Sequence, residues 1–193
     1  MNRIEPKSLP AVPRWPALVV AGLGVSGMLG WVLGLPQLVT LLPGGSPMVF
    51  NTALGQLVTG LSLVALLRGF GRTARTGAAI VLALGVLTFV QFPFGINWGI
   101  DQLFWTQQLD LPMSTPGRMA PNTAVAFILC GIALLLSVGS RRHHRVVGIL
   151  MAVVLAAALL GMTGYSMGLR GALSWGRFTG MALPNAAGFL LTS

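Results

Sequence analysis

Residues 119–134 read MAPNTAVAFILCGIAL, and two further stretches carry the same pattern: MVFNTALGQLVTGLSL at 48–63 and MALPNAAGFLL at 181–191. Each opens on Met, places an Asn a few positions later and runs on without a charge. The three stretches align on Asn51, Asn122 and Asn185. In the first two, Gly60 and Gly131 stand nine residues after the Asn, and Leu63 and Leu134 stand twelve after. The Asn positions are 71 and 63 residues apart, which is room for two helices and two loops, so the repeating unit is a helical hairpin. A Gly-aliphatic pair closes the odd helix of each unit: Gly34-Leu35, Gly99-Ile100 and Gly168-Leu169.

Composition places these hairpins in a bilayer. Of 193 residues, 54% are hydrophobic and 8% charged, where soluble domains carry about 25% charged residues. A helix crossing the hydrocarbon needs about 20 apolar residues. Five charge-free windows meet that length, at 15–35, 48–67, 76–94, 119–138 and 146–167. A sixth begins near Met181 and runs 13 residues to Ser193, so the chain is expected to stop inside its sixth helix. The first window is too long for the h-region of a cleavable signal peptide and lacks an A-x-A-like site. Nine of the 12 basic residues fall before the first helix (Arg3, Lys7, Arg14), between the second and third (Arg68, Arg72, Arg75) and between the fourth and fifth (Arg141, Arg142, Arg145). Positive residues stay on the cytoplasmic side, so both termini are expected there.

The same inventory limits the chemistry. The acids are Glu5, Asp101 and Asp110, and Cys130 is the single cysteine, inside an apolar run. His143 and His144 sit in the basic loop RRHHRVV, and adjacent helical positions face apart, so no two-ligand metal or haem site is expected from them. No cofactor, metal or catalytic residue is expected. The net charge of +9 is spread in short clusters rather than gathered into a nucleic-acid-binding face.

Candidate binding residues lie at the outer ends of the even helices. Asn51, Asn122 and Asn185 either satisfy backbone N–H groups in the first helical turn or form, with Thr52, Thr123 and Gln56, a polar constellation that holds a small ligand. Arg118, Arg170 and Arg177 share the outer loops with Asp101 and Asp110. They either form ion pairs that pin the loops or leave an Arg, Arg118 above all, to receive an anionic or carbonyl-bearing ligand. Trp98, Trp105 and Trp175, with Phe104 and Phe178, read as an aromatic belt or as a lid. The segment INWGIDQLFWTQQL carries Ile96, Ile100, Leu103 and Phe104 at helical spacing and predicts a short amphipathic interfacial helix. Gln56, Thr59, Thr88 and Gln91 read as the deepest polar groups, too few to line a transport route. GxxxG spacings at Gly30 to Gly34 and Gly164 to Gly168 predict close helix contacts.

The segments FGINWGIDQLFW and TPGRMAPNTAVAFILCGIALLL, with the echo SPMVFNTALGQLVTGLSLVALL, resemble the polytopic N-terminal membrane region of bacterial sensor histidine kinases and diguanylate cyclases. The resemblance covers about residues 20–193. It implies a sensory or anchoring input region upstream of PAS, kinase or GGDEF modules, and its signature falls on Asp101, Pro116, Gly117, Arg118, Met119, Pro121, Asn122 and Thr123.

The expected fold is therefore an all-α membrane protein of six transmembrane helices arranged as three repeated hairpins, at about 15–71, 72–143 and 144–193, after a cytoplasmic segment 1–14. The expected function is a non-catalytic sensory input domain in the bacterial inner membrane. Its expected partners are the lipid bilayer, a second copy of the chain and a downstream cytoplasmic signalling module, with no nucleic acid. The rival expectations are a structural anchor or assembly subunit and a small transporter. The candidate ligand set is Asn51, Asn122, Asn185, Thr52, Thr123, Arg118, Asp101, Trp105 and Arg177.

Overall fold

A computed structural model of the chain describes residues 13–42, 45–106, 109, 111, 113–139, 143–168 and 180–193. Among these the elements are α1 (Trp15–Val32), α2 (Pro36–Thr40), α3 (Phe50–Leu67), α4 (Gly71–Phe94), α5 (Pro121–Gly139), α6 (His144–Ser166) and α7 (Leu183–Thr192), with a 3-10 turn at Ile100–Gln102 and no strand. Five of the helices, α1, α3, α4, α5 and α6, are long and apolar enough to cross a membrane. They fall on the five complete windows of the sequence. The helix α4 starts five residues before its window, because Arg72 and Arg75 lie within its first turns. The 10 residues of α7 fall short of a span.

Polarity is inverted relative to a water-soluble bundle. Leu18, Val19 and Leu29 of α1 and Ile149, Val153 and Leu160 of α6 are exposed, whereas Asn51, Thr52, Gln56, Thr59 and Ser62 of α3 are buried. Water would penalise that arrangement on both counts; lipid tails favour the outer face and oblige the polar groups to turn inward. Length, composition and this inversion are those of a membrane-spanning protein.

Neighbours in the chain are neighbours in space. Contacts run from α1 to α3, α3 to α4, α4 to α5, α5 to α6, α6 to α7 and from α7 back to α1, while α3, α5 and α7 also touch one another inside the ring. Apolar burial cannot drive helix association where the solvent is itself apolar, so close backbone approach must. Glycine supplies it. A Cβ added to Gly60 would lie 2.6 Å from the Ala17 carbonyl oxygen, and one on Gly24 2.6 Å from that of Ala53, so α1 and α3 interlock through reciprocal glycines. The pair α4 and α5 does the same: Gly131 faces the Leu82 backbone at 2.8 Å, and Gly85 faces the Ala124 carbonyl oxygen at 2.8 Å. Gly60 and Gly131 thus have one task in two helix pairs.

Of the GxxxG pairs, Gly30 makes the expected close contact, an added Cβ lying 2.8 Å from Val39 Cγ1 of α2, while the second members contribute differently. Gly34 and Gly168 adopt positive φ of 66° and 67° just beyond α1 and α6, so they end helices rather than pack them. The third predicted stop is displaced: α4 ends at Gly95, φ 61°, where the Ile96 N–H reaches back to the Gln91 carbonyl at 3.2 Å, and Gly99 instead precedes the 3-10 turn.

A central layer joins the three inner helices. The Phe127 ring lies on Gly55, where an added Cβ would meet Phe127 Cζ at 2.6 Å, and Gln56 lies on Gly188, where one would meet Oε1 at 2.6 Å. Phe189 meets Phe127 edge-on with centroids 5.0 Å apart. Gln56, Phe127 and Phe189 each stand eight residues after Met48, Met119 and Met181, all three buried. By the side chains that meet, the third segment registers on its Met and not on its Asn. One extra residue then turns Asn185 about 100° around the helix from the position of Asn51 and Asn122.

Gly60→Val is expected to unfold the α1–α3 pair at lower denaturant, at a cost of about 1–3 kcal/mol or more. Gly22→Val, with no atom near its Cβ, is expected to leave the transition where it is; chemical unfolding in mixed micelles checks both.

Candidate functional site

The polar residues gather at the end of the bundle where α3, α5 and α7 begin. Asn51 is the second residue of α3, Asn122 the second of α5 and Asn185 the third of α7. Neither α3 nor α7 has a side-chain cap, so Asn51 and Asn185 are not used for ordinary capping. Only Asn122 serves its own helix start, its Oδ1 accepting from the Thr123 N–H at 2.9 Å.

Asn51 reaches across to another segment. Its Nδ2 donates to the carbonyls of Ile100 at 2.8 Å and Asp101 at 3.2 Å, holding the 3-10 turn against α3. Beside it the Phe50 and Trp105 rings stack at 5.8 Å. The predicted amphipathic helix over this loop is therefore replaced, among the described residues, by a single 3-10 turn. The amphipathic sense is kept: Leu103 and Phe104 are 68% and 56% exposed, like the outward apolar faces of α1 and α6, while Asp101 is 5% exposed. The charge can lie inside because Asp101 has a strong partner.

That partner is Arg118. Its Nε donates to Asp101 Oδ2 at 2.8 Å, and its Nη2 donates to Gln91 Oε1 at 3.1 Å and to the Ile96 carbonyl at 3.1 Å. Gln91 Nε2 donates to Asp101 Oδ1 at 3.3 Å, its Oε1 also accepts from the Trp98 N–H at 3.0 Å, and the Phe92 ring covers the guanidinium with its centroid 5.6 Å from Cζ. The structure thus realises the loop-pinning alternative for Arg118 and Asp101. Gln91, expected among the deepest polar groups, is fully buried, and the stop at Gly95 sets it in the last turn of α4, beside the loops.

Deeper in the bundle, Gln56 Nε2 donates to the Asn185 carbonyl at 3.4 Å. Beyond these contacts the site is unsatisfied. Asn51 Oδ1, Thr52 Oγ1, Gln56 Oε1, Thr88 Oγ1, Thr123 Oγ1, Asn185 Oδ1 and Trp105 Nε1 are buried without a hydrogen-bond partner. The Asn51 amide orientation is forced, since a flip would set its oxygen against two carbonyls. An unmet buried polar group costs about 1–3 kcal/mol. Of the candidate set, Asn51, Asp101, Arg118 and Trp105 meet in one assembly, Thr52, Thr123 and Asn185 lie buried at the starts of the inner helices, and Arg177 lies outside the described residues, as do Asp110, Arg170, Trp175 and Phe178. Among the described residues no cluster of His, Cys, Asp or Glu could hold a metal ion. His143 and His144 are exposed at the opposite end, where α6 starts.

No family model, curated protein or solved structure matches the chain. The site is therefore read on its own geometry.

A buried ion pair that loses one member strands the other. Arg118→Met alone is expected to cost about 3–5 kcal/mol, and Arg118→Met with Asp101→Leu less than the two single changes together. A double-mutant cycle on unfolding in detergent measures the difference.

Proposed function

We propose that this chain is a membrane-embedded sensory input domain of a bacterial signalling protein of the histidine kinase or diguanylate cyclase type. It sits in the inner membrane as three hairpins, six crossings, with both termini cytoplasmic and the Asn-bearing ends of α3, α5 and α7 on the periplasmic side. The positive loops support that orientation, and the ring-and-triangle contacts of the helices support the hairpin arrangement. Working as a dimer, it passes a periplasmic or bilayer stimulus through α7 to a cytoplasmic output module. It performs no catalysis itself.

The observation that carries this reading is the layer of buried polar atoms without partners at one end of an otherwise apolar bundle. A bundle serving only as an anchor gains nothing from them, since each weakens it. A bundle with two arrangements uses them, because a ligand acts only by satisfying such groups better in one arrangement than in the other. Gln56 is the sharpest case. It occupies the position taken by Phe in the other two inner helices, so an apolar residue suits the layer.

A structural anchor or assembly subunit is the second reading. It draws on α6, whose outer face carries the small residues Gly148, Ala152 and Ala156 one turn apart and exposed, a seam for a neighbouring helix. The transporter reading draws on little: among the described residues no acidic or basic side chain lies in the central turns of the five long helices.

Gln56→Leu separates the two. It is expected to stabilise the bundle by about 1 kcal/mol, because it removes an unmet carbonyl. In a fusion to a dimeric kinase or cyclase reporter, at equal membrane level, it is also expected to bias output toward one state. Output identical to wild type in Gln56→Leu, Asn51→Ala and Asn185→Ala alike would leave the anchor.

A further inference from the structure

A cavity of about 510 Å³ opens beside the Arg118 network, walled by Gln91, Phe92, Asn97, Ser114, Thr115 and Arg118. Its wall holds a cation, hydroxyls and amides and, among the described residues, no carboxylate. Asp101 lies behind the guanidinium, buried, and is not part of the lining. The guanidinium is fixed in place: Asp101 takes Nε, Gln91 and the Ile96 carbonyl take Nη2, and Phe92 covers a face. Those contacts leave Nη1 without a hydrogen-bond partner among the described residues. A guanidinium held rigidly, with a donor edge to spare and hydroxyls nearby, is prepared for a planar or tetrahedral oxyanion.

We propose that this cavity binds an oxyanion, a carboxylate or a phosphate ester, on the Nη1 edge of Arg118, with the Thr115 hydroxyl donating. This deepens the sensor reading by naming the chemical class of its stimulus. Binding brings a second anion to one guanidinium, so the attraction that holds Asp101 is shared and weakened. Asp101 belongs to the turn that Asn51 grips by its backbone carbonyls, and the release reaches α3 through that grip. The oxyanion comes either from a free metabolite-sized anion or from an acidic lipid headgroup; both present the same oxygens.

The experiment uses the full chain and reads the fluorescence of Trp98 and Trp105, together with thermal unfolding, as probes are added. One arm titrates inorganic phosphate and acetate into the chain in dodecyl maltoside micelles, which carry no oxyanion, with chloride at matched ionic strength as control. The other adds phosphatidylglycerol stepwise to those micelles. A saturable response to phosphate or acetate supports a soluble ligand, and a response confined to phosphatidylglycerol supports a headgroup. Thr115→Val, which leaves the Asp101 pair intact, is expected to weaken the response several-fold, and Arg118→Gln to abolish it. Asp101→Asn, which frees the guanidinium from its internal rival, is expected to tighten it about tenfold. Absence of a saturable response in both arms, or one that Arg118→Gln retains, overturns the proposal, as does unchanged affinity in Asp101→Asn. Binding is read on the chain alone, so an oxyanion that binds without altering a fused reporter would sink the sensor reading and leave the site standing.

Discussion

Lipid tails solvate a leucine as well as another leucine does, so in this chain helix faces are chosen by where two backbones can come close enough to touch. Gly24 and Gly60 let α1 and α3 meet at contacts that a single methyl group would forbid, and Gly85 and Gly131 do so for α4 and α5. Everything else hangs on these two seams. They set the inner helices in the middle and the outer ones toward lipid, and so decide which polar groups are taken out of reach of solvent. Once α3 is held by its glycines, Asn51, Thr52 and Gln56 have nowhere to turn except inward. The third pair is looser, with Gly161 in ordinary contact with Ala186 at 3.4 Å.

Two devices then join the helix starts to the loops. Trp31, next to last in α1, donates from Nε1 to the Met48 carbonyl at 2.8 Å, and Tyr165, next to last in α6, donates from its hydroxyl to the Met181 carbonyl at 2.9 Å. An aromatic at the end of an outer helix thus anchors the residue that leads into the following inner helix. Between α4 and α5 the corresponding stretch of α4 carries Pro93 and offers no aromatic donor. There the loop is fastened instead by Arg118, Gln91 and Asp101, a charged network in place of a single hydrogen bond. Among the described residues, that difference makes the loop between α4 and α5 the one segment whose attachment depends on charge.

The five long apolar helices and the concentration of polar groups at one end were legible because they follow from composition and spacing alone. The five long helices begin and end within a few residues of their charge-free windows, except where Arg72 and Arg75 entered a helix that a charge rule had excluded. Arginine at a helix start can extend along the apolar surface to the interface, and a count of charges is blind to that. The 3-10 turn was misread because Ile96, Ile100 and Leu103 show helical spacing, while the buried pairing of Asp101 with a residue 17 positions later leaves no local trace. The register of the third repeat was hidden for a related reason. The shared Asn is conspicuous in the letters, whereas the layer of Gln56, Phe127 and Phe189 shows only once the helices are assembled, because its members are chemically unlike.

That unlikeness bears on how a disturbance at the loop could cross the bundle. From Arg118 the contacts run to Asp101, from the Asp101 carbonyl to Asn51, along α3 for little more than a turn to Gln56, and from Gln56 Nε2 to the Asn185 carbonyl of α7. Proximity of this kind is not coupling; coupling requires an element with two arrangements. Gln56 is the member able to supply one. Its amide makes a long contact of 3.4 Å to α7 and leaves its oxygen unmet, pressed on Gly188. A rotation of α3 that brought a donor to that oxygen would relieve it. Were the residue Phe, as in the other two inner helices, one packed arrangement would dominate and the same rotation would open a void. The least stable contact in the central layer is therefore also the one best placed to respond, and it lies on the route to the last helix.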